Sequence, residues 1–554
     1  MFHFNNTIMK KFNVHVSTNI IWGISLLFIL SMTVGCQDEY LDEEPLSSLS
    51  ADNTLVSQEG FEIYLNGLYW TSREEYSQND NLYFITNFPG TDIGEDAGAE
   101  YFTYRNWVSY LTPINNEVTA NWNWAYSKII PQANTIIVYA NSPENDDTWE
   151  SEEERNAVIA QARFFRGYAY NFLANLYGGV PIVDTIMANP KFDYTRSSRE
   201  EVYEFAKNDL EFAAEWLVSV DNVPQDGKLT SAVANHLLSE VYISLGNYDK
   251  AIESASKVIE SGNYQLMTER FGNYQDEPGD VFSDLFRDGN YNRSSGNLES
   301  LFVWQFEQFT EGGGGSNNGN SSIRNLGPFL TKILSPDGFP NLPTDELGRG
   351  VGRARGTNYA LYDIWDDDSD IRNSEFNFRR DFYYNNPSSS SFGALIPPIT
   401  MAEDSLRNLY PYPRKIEGNP WNENNTSGRI TNDVYVYRLA ETYLLRAEAY
   451  LRNGNTQNAA DDINTVRQRS NAIPISTGDI SEDYILDERA RELLFEEPRR
   501  KTLMRMGKLV DRVQTYGLLE SSRTTVQEYH NLWPIPQTAI DANLGADLEQ
   551  NPGY

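Results

Sequence analysis

Apolar residues recur along this chain at helical spacing, apart from one long stretch where that spacing is lost. Between Ser57 and Tyr76, Phe61, Tyr64, Leu65, Leu68 and Tyr69 share one face and predict a first helix. The run from Val118 to Tyr139 carries Trp122, Trp124, Tyr126, Ile129, Ile130, Ile136 and Ile137 and predicts a second. Pro131 lies inside it and should kink or break it, because proline lacks the amide donor. From Glu152 to Tyr177 an apolar stripe of Ala157, Ala160, Phe164, Tyr168, Phe172 and Leu176 stops at Gly178-Gly179-Val180-Pro181. Ser198 stands where an N-cap would open the next helix, Arg199 to Val218.

Two later segments share one plan. Ala234 to Ile252 reads as a helix, a Gly246-Asn247 turn and a second helix, and Glu441 to Ala460 repeats it around Gly454-Asn455. Small residues at the crossing and glycine in the turn resemble tetratricopeptide units, which bury a face only by stacking on neighbours. Glu152–Ile182 with Ser198–Val218 reads as a degenerate third pair. The pairs are far apart in sequence, so a simple solenoid is excluded and they must share a core. Between them, residues 271–432 are rich in Gly, Asn, Ser, Asp and aromatics. Leu301–Phe306 predicts a short buried strand there, and Glu311–Asn320 a flexible loop. The expected fold is mainly α, with tetratricopeptide-like helix pairs packed into one body, a loop-rich insertion and a few short strands.

The first 36 residues follow a different pattern. Lys10 and Lys11 precede the apolar run Ile20–Leu30, and Gly35 precedes Cys36, the only cysteine of the 554 residues. A basic start, a short greasy core and a small residue before the cut make an export signal, and cysteine at the cut makes it a lipoprotein signal. Such signals usually carry Leu where Thr33 stands. The apolar stretch to Val34 is about 15 residues, short of the roughly 20 that span a bilayer. Cys36 is therefore expected to carry lipid. Removing residues 1–35, with two lysines and no acid, takes the net charge from −35 to −37 and disfavours nucleic acid as a partner. Disulfides and thiolate zinc sites are then excluded, and His236 and His530, the histidines that remain, cannot build a three-histidine site. No nucleophile elbow or phosphate loop is present. No cofactor, metal site or catalytic residue is expected. Abundant Asp and Glu leave a lipid-anchored carboxylate-type glycoside hydrolase as an alternative.

The C-terminal third carries Tyr437-Arg438-Leu439-Ala440-Glu441-Thr442-Tyr443-Leu444-Leu445-Arg446-Ala447-Glu448-Ala449, then Ile463-Asn464-Thr465-Val466-Arg467, then Ile485–Leu493, Leu532-Trp533-Pro534-Ile535-Pro536 and Gln550-Asn551-Pro552-Gly553-Tyr554. With Ala162–Tyr168 and Leu176–Pro181, and in this order behind a lipoprotein signal, these resemble the SusD/RagB family of Bacteroidetes outer-membrane lipoproteins. Glu497 stands where many relatives have glycine. The resemblance implies a cell-surface binding protein that captures a glycan and delivers it to a TonB-dependent (SusC-like) transporter for nutrient uptake. Peptide binding, known in some members, stays open. The implied organisation is a signal peptide at 1–35, an acidic tether at 36–52, an N-terminal helical region at 53–270, the insertion at 271–432 and a C-terminal region at 433–554. The implied location is the outer membrane, held by the N-terminal lipid and facing the cell exterior.

Candidate ligand contacts come from position and chemistry, since aromatic faces stack on apolar sugar faces. They are Tyr101, Tyr104, Arg105, Trp107 and Tyr110 in an early loop, and Tyr291, Phe309, Phe339, Tyr383 and Tyr384 in the insertion. Asp92, Glu95 and Asp96 are considered for calcium, although they lack the spacing of a calcium loop. Arg349, Arg353 and Arg355 form a basic island suited to an acidic ligand or to Asp366, Asp367 and Asp368. Glu488, Arg489, Arg491 and Glu492 flank an apolar stripe and should make ion pairs that hold their helix, and Tyr554 should tie down the C-terminus.

Overall fold

The helices predicted from apolar spacing are present, and further helices follow them near the C-terminus. They are α1 (Gln58–Ser77), α2 (Asn116–Asn123), α3 (Ile130–Ala140), α4 (Glu152–Tyr177), α5 (Arg199–Trp216), α6 (Ser231–Ser244), α7 (Tyr248–Ile259), α8 (Leu439–Arg452), α9 (Thr456–Arg469), α10 (Glu482–Leu493), α11 (Arg499–Met506) and α12 (Leu509–Tyr516). The computed structural model describes residues 50–77, 88–98, 104–187, 189–223, 225–314, 319–398 and 402–554. Cys36, the signal segment, most of the tether, Tyr101 and residues 315–318 of the glycine-rich loop lie outside the described residues. The chain divides into two units, 1–54 and 55–554, and every element named here belongs to the second. No helix among the described residues is long and apolar enough to cross a membrane.

Local chemistry sets the boundaries. Ser198 caps α5 by accepting from the Glu201 amide, and the Glu201 carboxylate accepts in return from the Ser198 amide, a capping box. Gly178 ends α4 at φ 76°, a left-handed value that side chains resist. Pro131 does not break its helix. A π-helical stretch, Trp124–Ile129, leads from α2 into α3 and puts Pro131 in the first turn of α3, where a missing amide costs nothing.

Packing joins α4, α5, α6, α7, α8 and α9 into one succession of neighbours. Helix α7 ends at Ile259 and α8 begins at Leu439, so the insertion leaves and re-enters between adjacent members of the stack. Its ends are drawn together by an antiparallel ladder between β2 (Ser300–Trp304) and β6 (Val434–Arg438). β2 is buried along its whole length, as Leu301–Phe306 predicts. Inside the insertion, β3 (Ala354–Gly356) pairs with β1 (Gly94–Asp96), and β4 (Phe378–Arg379) with β5 (Tyr412–Pro413). A cluster of Met267, Phe271, Phe282, Leu285, Phe286, Tyr291, Val303 and Tyr435 seals the junction with the stack.

Buried ion pairs hold α10. Glu488 accepts from Arg372 and Arg467, each at 2.8 Å, and from Arg491 at 3.0 Å. Glu492 accepts from Arg372 at 2.9 Å and also from Arg438 and Arg469. Glu497 accepts from Arg489 and from Arg499 at 3.1 Å. Burial opposes charge on Glu488, but Arg372, Arg491 and Arg467 outweigh it and bring its carboxyl down to about 2. At the C-terminus, Asn551 donates to the Tyr177 and Trp533 carbonyls, and the Tyr554 hydroxyl donates to the Leu532 carbonyl at 2.7 Å.

Candidate functional site

The described part of the early aromatic loop folds inward. Tyr104 and Trp107 are fully buried, with the Arg500 guanidinium 4.3 Å and 5.2 Å from their ring centroids. Tyr110 packs edge-on against Tyr104 at 4.8 Å. Arg105 donates to the Asp96 and Ala97 carbonyls at 3.2 and 3.1 Å. Tyr104 and Trp107 thus stack on an arginine inside the protein and present no face to a ligand. Asp92, Glu95 and Asp96 do not form a ligand set. Asp92 is taken up by Arg499 and Arg512, and Glu95 accepts the Asp96 and Leu519 amides at 3.1 and 3.3 Å. No group of three potential metal ligands exists among the described residues. Arg353 and Arg355 are buried, Arg353 donating to Asn325 and Arg355 to the Gly356 and Ser405 carbonyls. They do not meet Asp366–Asp368, of which Asp367 pairs with Arg467 at 3.7 Å.

In the insertion, Tyr291 is buried in the junction cluster and Tyr384 is buried in its hairpin, so neither is a contact surface. Phe309 is 79% exposed, on a turn closed by the Glu307 amide donating to the Gly313 carbonyl. Phe339 and Tyr383 lie on two hairpins joined by hydrogen bonds, among them the Asn341 side chain donating to the Tyr383 carbonyl at 3.4 Å.

The first hairpin turns at Pro336-Asp337-Gly338, with Leu334 bridging to Pro340 and Gly338 at φ 89°. The second runs from Tyr383 to Leu395, which bridge each other, and turns through Ser388–Ser391. Short polar side chains lock the two. Asp337 accepts from the Ser335 and Ser389 hydroxyls at 2.6 Å and from the Ser390 amide at 2.7 Å. Asn385 accepts from the Leu342 amide at 2.7 Å and donates to the Leu342 carbonyl at 2.8 Å, and Asn386 donates to the Pro340 carbonyl at 2.9 Å. The hydroxyls of Ser335 and Ser389 and the Ser390 amide hold the Asp337 carboxyl far below the usual carboxylate range, so the lock is intact at ordinary pH.

The locked hairpins display Phe339, Tyr383 and Phe392, at 38%, 52% and 59% exposure, together with Leu334, Leu342 and Leu395. Apolar side chains gathered on a solvent face mark interaction surfaces. Phe392 and the three leucines were not among the candidates from sequence. The signal available for them was a Pro-Asp-Gly turn and an Asn-Asn-Pro-Ser run, each flanked by large apolar residues.

Comparison with known proteins agrees with this architecture. The profile described as "SusD family" matches residues 363–554, one described as "Starch-binding associating with outer membrane" matches 39–243, and a tetratricopeptide repeat profile matches 232–261, the α6–α7 pair. SusD-like protein P2 of Formosa agariphila is 27% identical, covering 96% of this chain and 99% of its own length. Starch-binding protein SusD of Bacteroides thetaiotaomicron is 26% identical over 85% of this chain and 89% of its own. Among solved structures, a SusD homolog from Bacteroides thetaiotaomicron aligns with a TM-score of 0.70 at 22% identity, covering 92% of this chain and all of that one. A laminarin-binding SusD-like protein aligns with a TM-score of 0.66 at 20% identity, covering 90% and 100%. The helix stack with its inserted loops is thus the fold of these SusD-like structures. The chain belongs to the SusD/RagB family.

Proposed function

We propose that this protein is a cell-surface lipoprotein, anchored through lipid on Cys36, that captures an oligosaccharide and delivers it to a TonB-dependent outer-membrane transporter. The observation that carries the glycan reading is the display of Phe339, Tyr383 and Phe392 on hairpins locked by Asp337 and Asn385. Rigid exposed rings meet the apolar faces of sugars at little ordering cost. The starch-binding and laminarin-binding relatives support the ligand class, and the outer-membrane wording of the N-terminal profile supports the location.

The test is calorimetric titration of the purified protein with a panel of oligosaccharides and peptides. Phe339→Ala and Tyr383→Ala, both at exposed positions, should each weaken oligosaccharide binding about ten-fold and leave the melting temperature unchanged. Saturable binding of peptides and of no saccharide would overturn the glycan reading. Lipid labelling in cells should be lost in Cys36→Ser, and a transporter should co-purify with the wild-type protein.

A further inference from the structure

An apolar cavity of about 500 Å³ opens on the helical frame, and no residue of the insertion lines it. Its wall includes Trp122 on α2, Ile130 at the start of α3, Val183, Ile186 and Phe192 in the segment after α4, and Leu548 near the C-terminus. The segment after α4 has no apolar period that would bury its large side chains, and Ile186, Met187 and Phe192 stay exposed.

The polar groups of the wall are committed to holding it together. Asn134 on α3 donates to the Val183 and Thr185 carbonyls at 3.0 and 3.1 Å and accepts from Arg166 at 2.7 Å. Asn543 accepts from the Tyr194 amide at 2.7 Å and donates to the Tyr194 and Ala546 carbonyls at 2.8 and 2.9 Å. Both side-chain amides have thus spent their protons, and the Tyr126 hydroxyl has spent its own on the Pro181 carbonyl. Lys191 is the one charged residue in the lining, and no carboxylate stands there among the described residues, although the chain carries −35. The Lys191 side chain is 41% exposed, and its ammonium lies 3.5 Å from the more exposed carboxylate of Asp193. Such a pair in water is weak and readily exchanged for another anion.

We infer that this cavity binds one free fatty acid, its chain against the carbon wall and its carboxylate at Lys191. An acyl chain asks for no hydrogen bonds, whereas a sugar ring or a peptide backbone would leave polar groups unpaired against carbon. The volume suits a single small ligand. Attachment to an anionic bilayer uses a cluster of about four to eight basic residues, and one lysine does not supply it. The inference is independent of the glycan reading, because the cavity shares no residue with the hairpin platform.

The test is calorimetric titration of the purified protein carrying Cys36→Ser, which has no lipid of its own to compete. The ligands are octanoate, decanoate and laurate below their micelle concentrations, 1-decanol, and phosphatidylglycerol-containing vesicles. One-to-one binding is expected, tightening about four-fold for each added CH₂. Ile186→Asp and Phe192→Asp, at exposed positions, should weaken decanoate at least ten-fold with the melting temperature unchanged. Lys191→Ala should weaken decanoate about five-fold and leave 1-decanol as it was, and Phe339→Ala should change neither. Binding of no fatty acid, or binding that both Asp variants leave intact, overturns the inference. Equal affinity of wild type and Lys191→Ala for decanoate overturns the carboxylate assignment. Adhesion to vesicles without binding of free decanoate makes the face a membrane contact, and loss of transporter co-purification in the Asp variants with no fatty acid bound by wild type makes it a protein contact. Either result overturns the inference and leaves the glycan reading standing.

Discussion

Arginine decides much of this structure one residue at a time. The chain is strongly acidic, yet Arg372, Arg438, Arg489, Arg499, Arg500 and Arg512 are among its most fully buried large side chains. Glu492 collects three guanidinium groups, so Glu492→Gln leaves buried positive charge without its partner and should cost about 3–5 kcal/mol, read from chemical denaturation. Glu488 gives the acid response a sign. Its carboxyl is lowered from 4.5 to about 2 in the folded protein, so the stability it contributes is complete above pH 4.5 and is lost as pH falls from 4.5 toward 2. Acid titration of folding should therefore steepen below pH 4.5, and Glu488→Gln should flatten that limb. The burial of Tyr104 and Trp107 was not legible in the sequence for the same reason. What turns these rings inward is Arg500, nearly four hundred residues away, and local composition carries no trace of it.

Helices were the most legible elements, because a 3.6-residue period and a glycine turn are written locally. The range Glu152–Tyr177 follows directly from an apolar stripe and its glycine stop. Pro131 shows the limit, since a π-helical stretch absorbed what proline alone would have broken. The hairpin platform was half legible: Phe339 and Tyr383 stand out as insertion aromatics, but their meeting depends on Asp337 and Asn385 reaching across some fifty and forty-three residues. The glycine turns of the helix pairs can be tested directly. Gly246 has φ 74° and no atom within 4 Å of where a Cβ would lie. Gly246→Ala should therefore cost only the strain of a left-handed alanine, about 1 kcal/mol, seen as a lower melting temperature with unchanged ligand binding.

For the whole molecule, a net charge of −35 acts at long range while the side chains displayed by the proposed ligand platform, Phe339, Tyr383 and Phe392, carry no charge. Affinity for a neutral oligosaccharide should stay within about two-fold as sodium chloride rises from 10 mM to 500 mM, because no net charge is transferred on binding. A strong salt dependence in calorimetry would point to a charged ligand instead. The stack itself has a break in sequence but none in space: residues 260–438 separate α7 from α8, yet the two helices are neighbours. That arrangement makes the intervening segment an exchangeable cassette. Its loops can be rewritten by mutation or recombination while the frame keeps its own contacts. The frame sets its conditions: β2 must still meet β6 and β3 must still meet β1, Glu299 must still face Arg438 and Arg469, Arg372 must still reach Glu488 and Glu492, and Arg73 must still find the Gln305 and Gly312 carbonyls. A lineage can thus change what the protein grips without redesigning what holds it up.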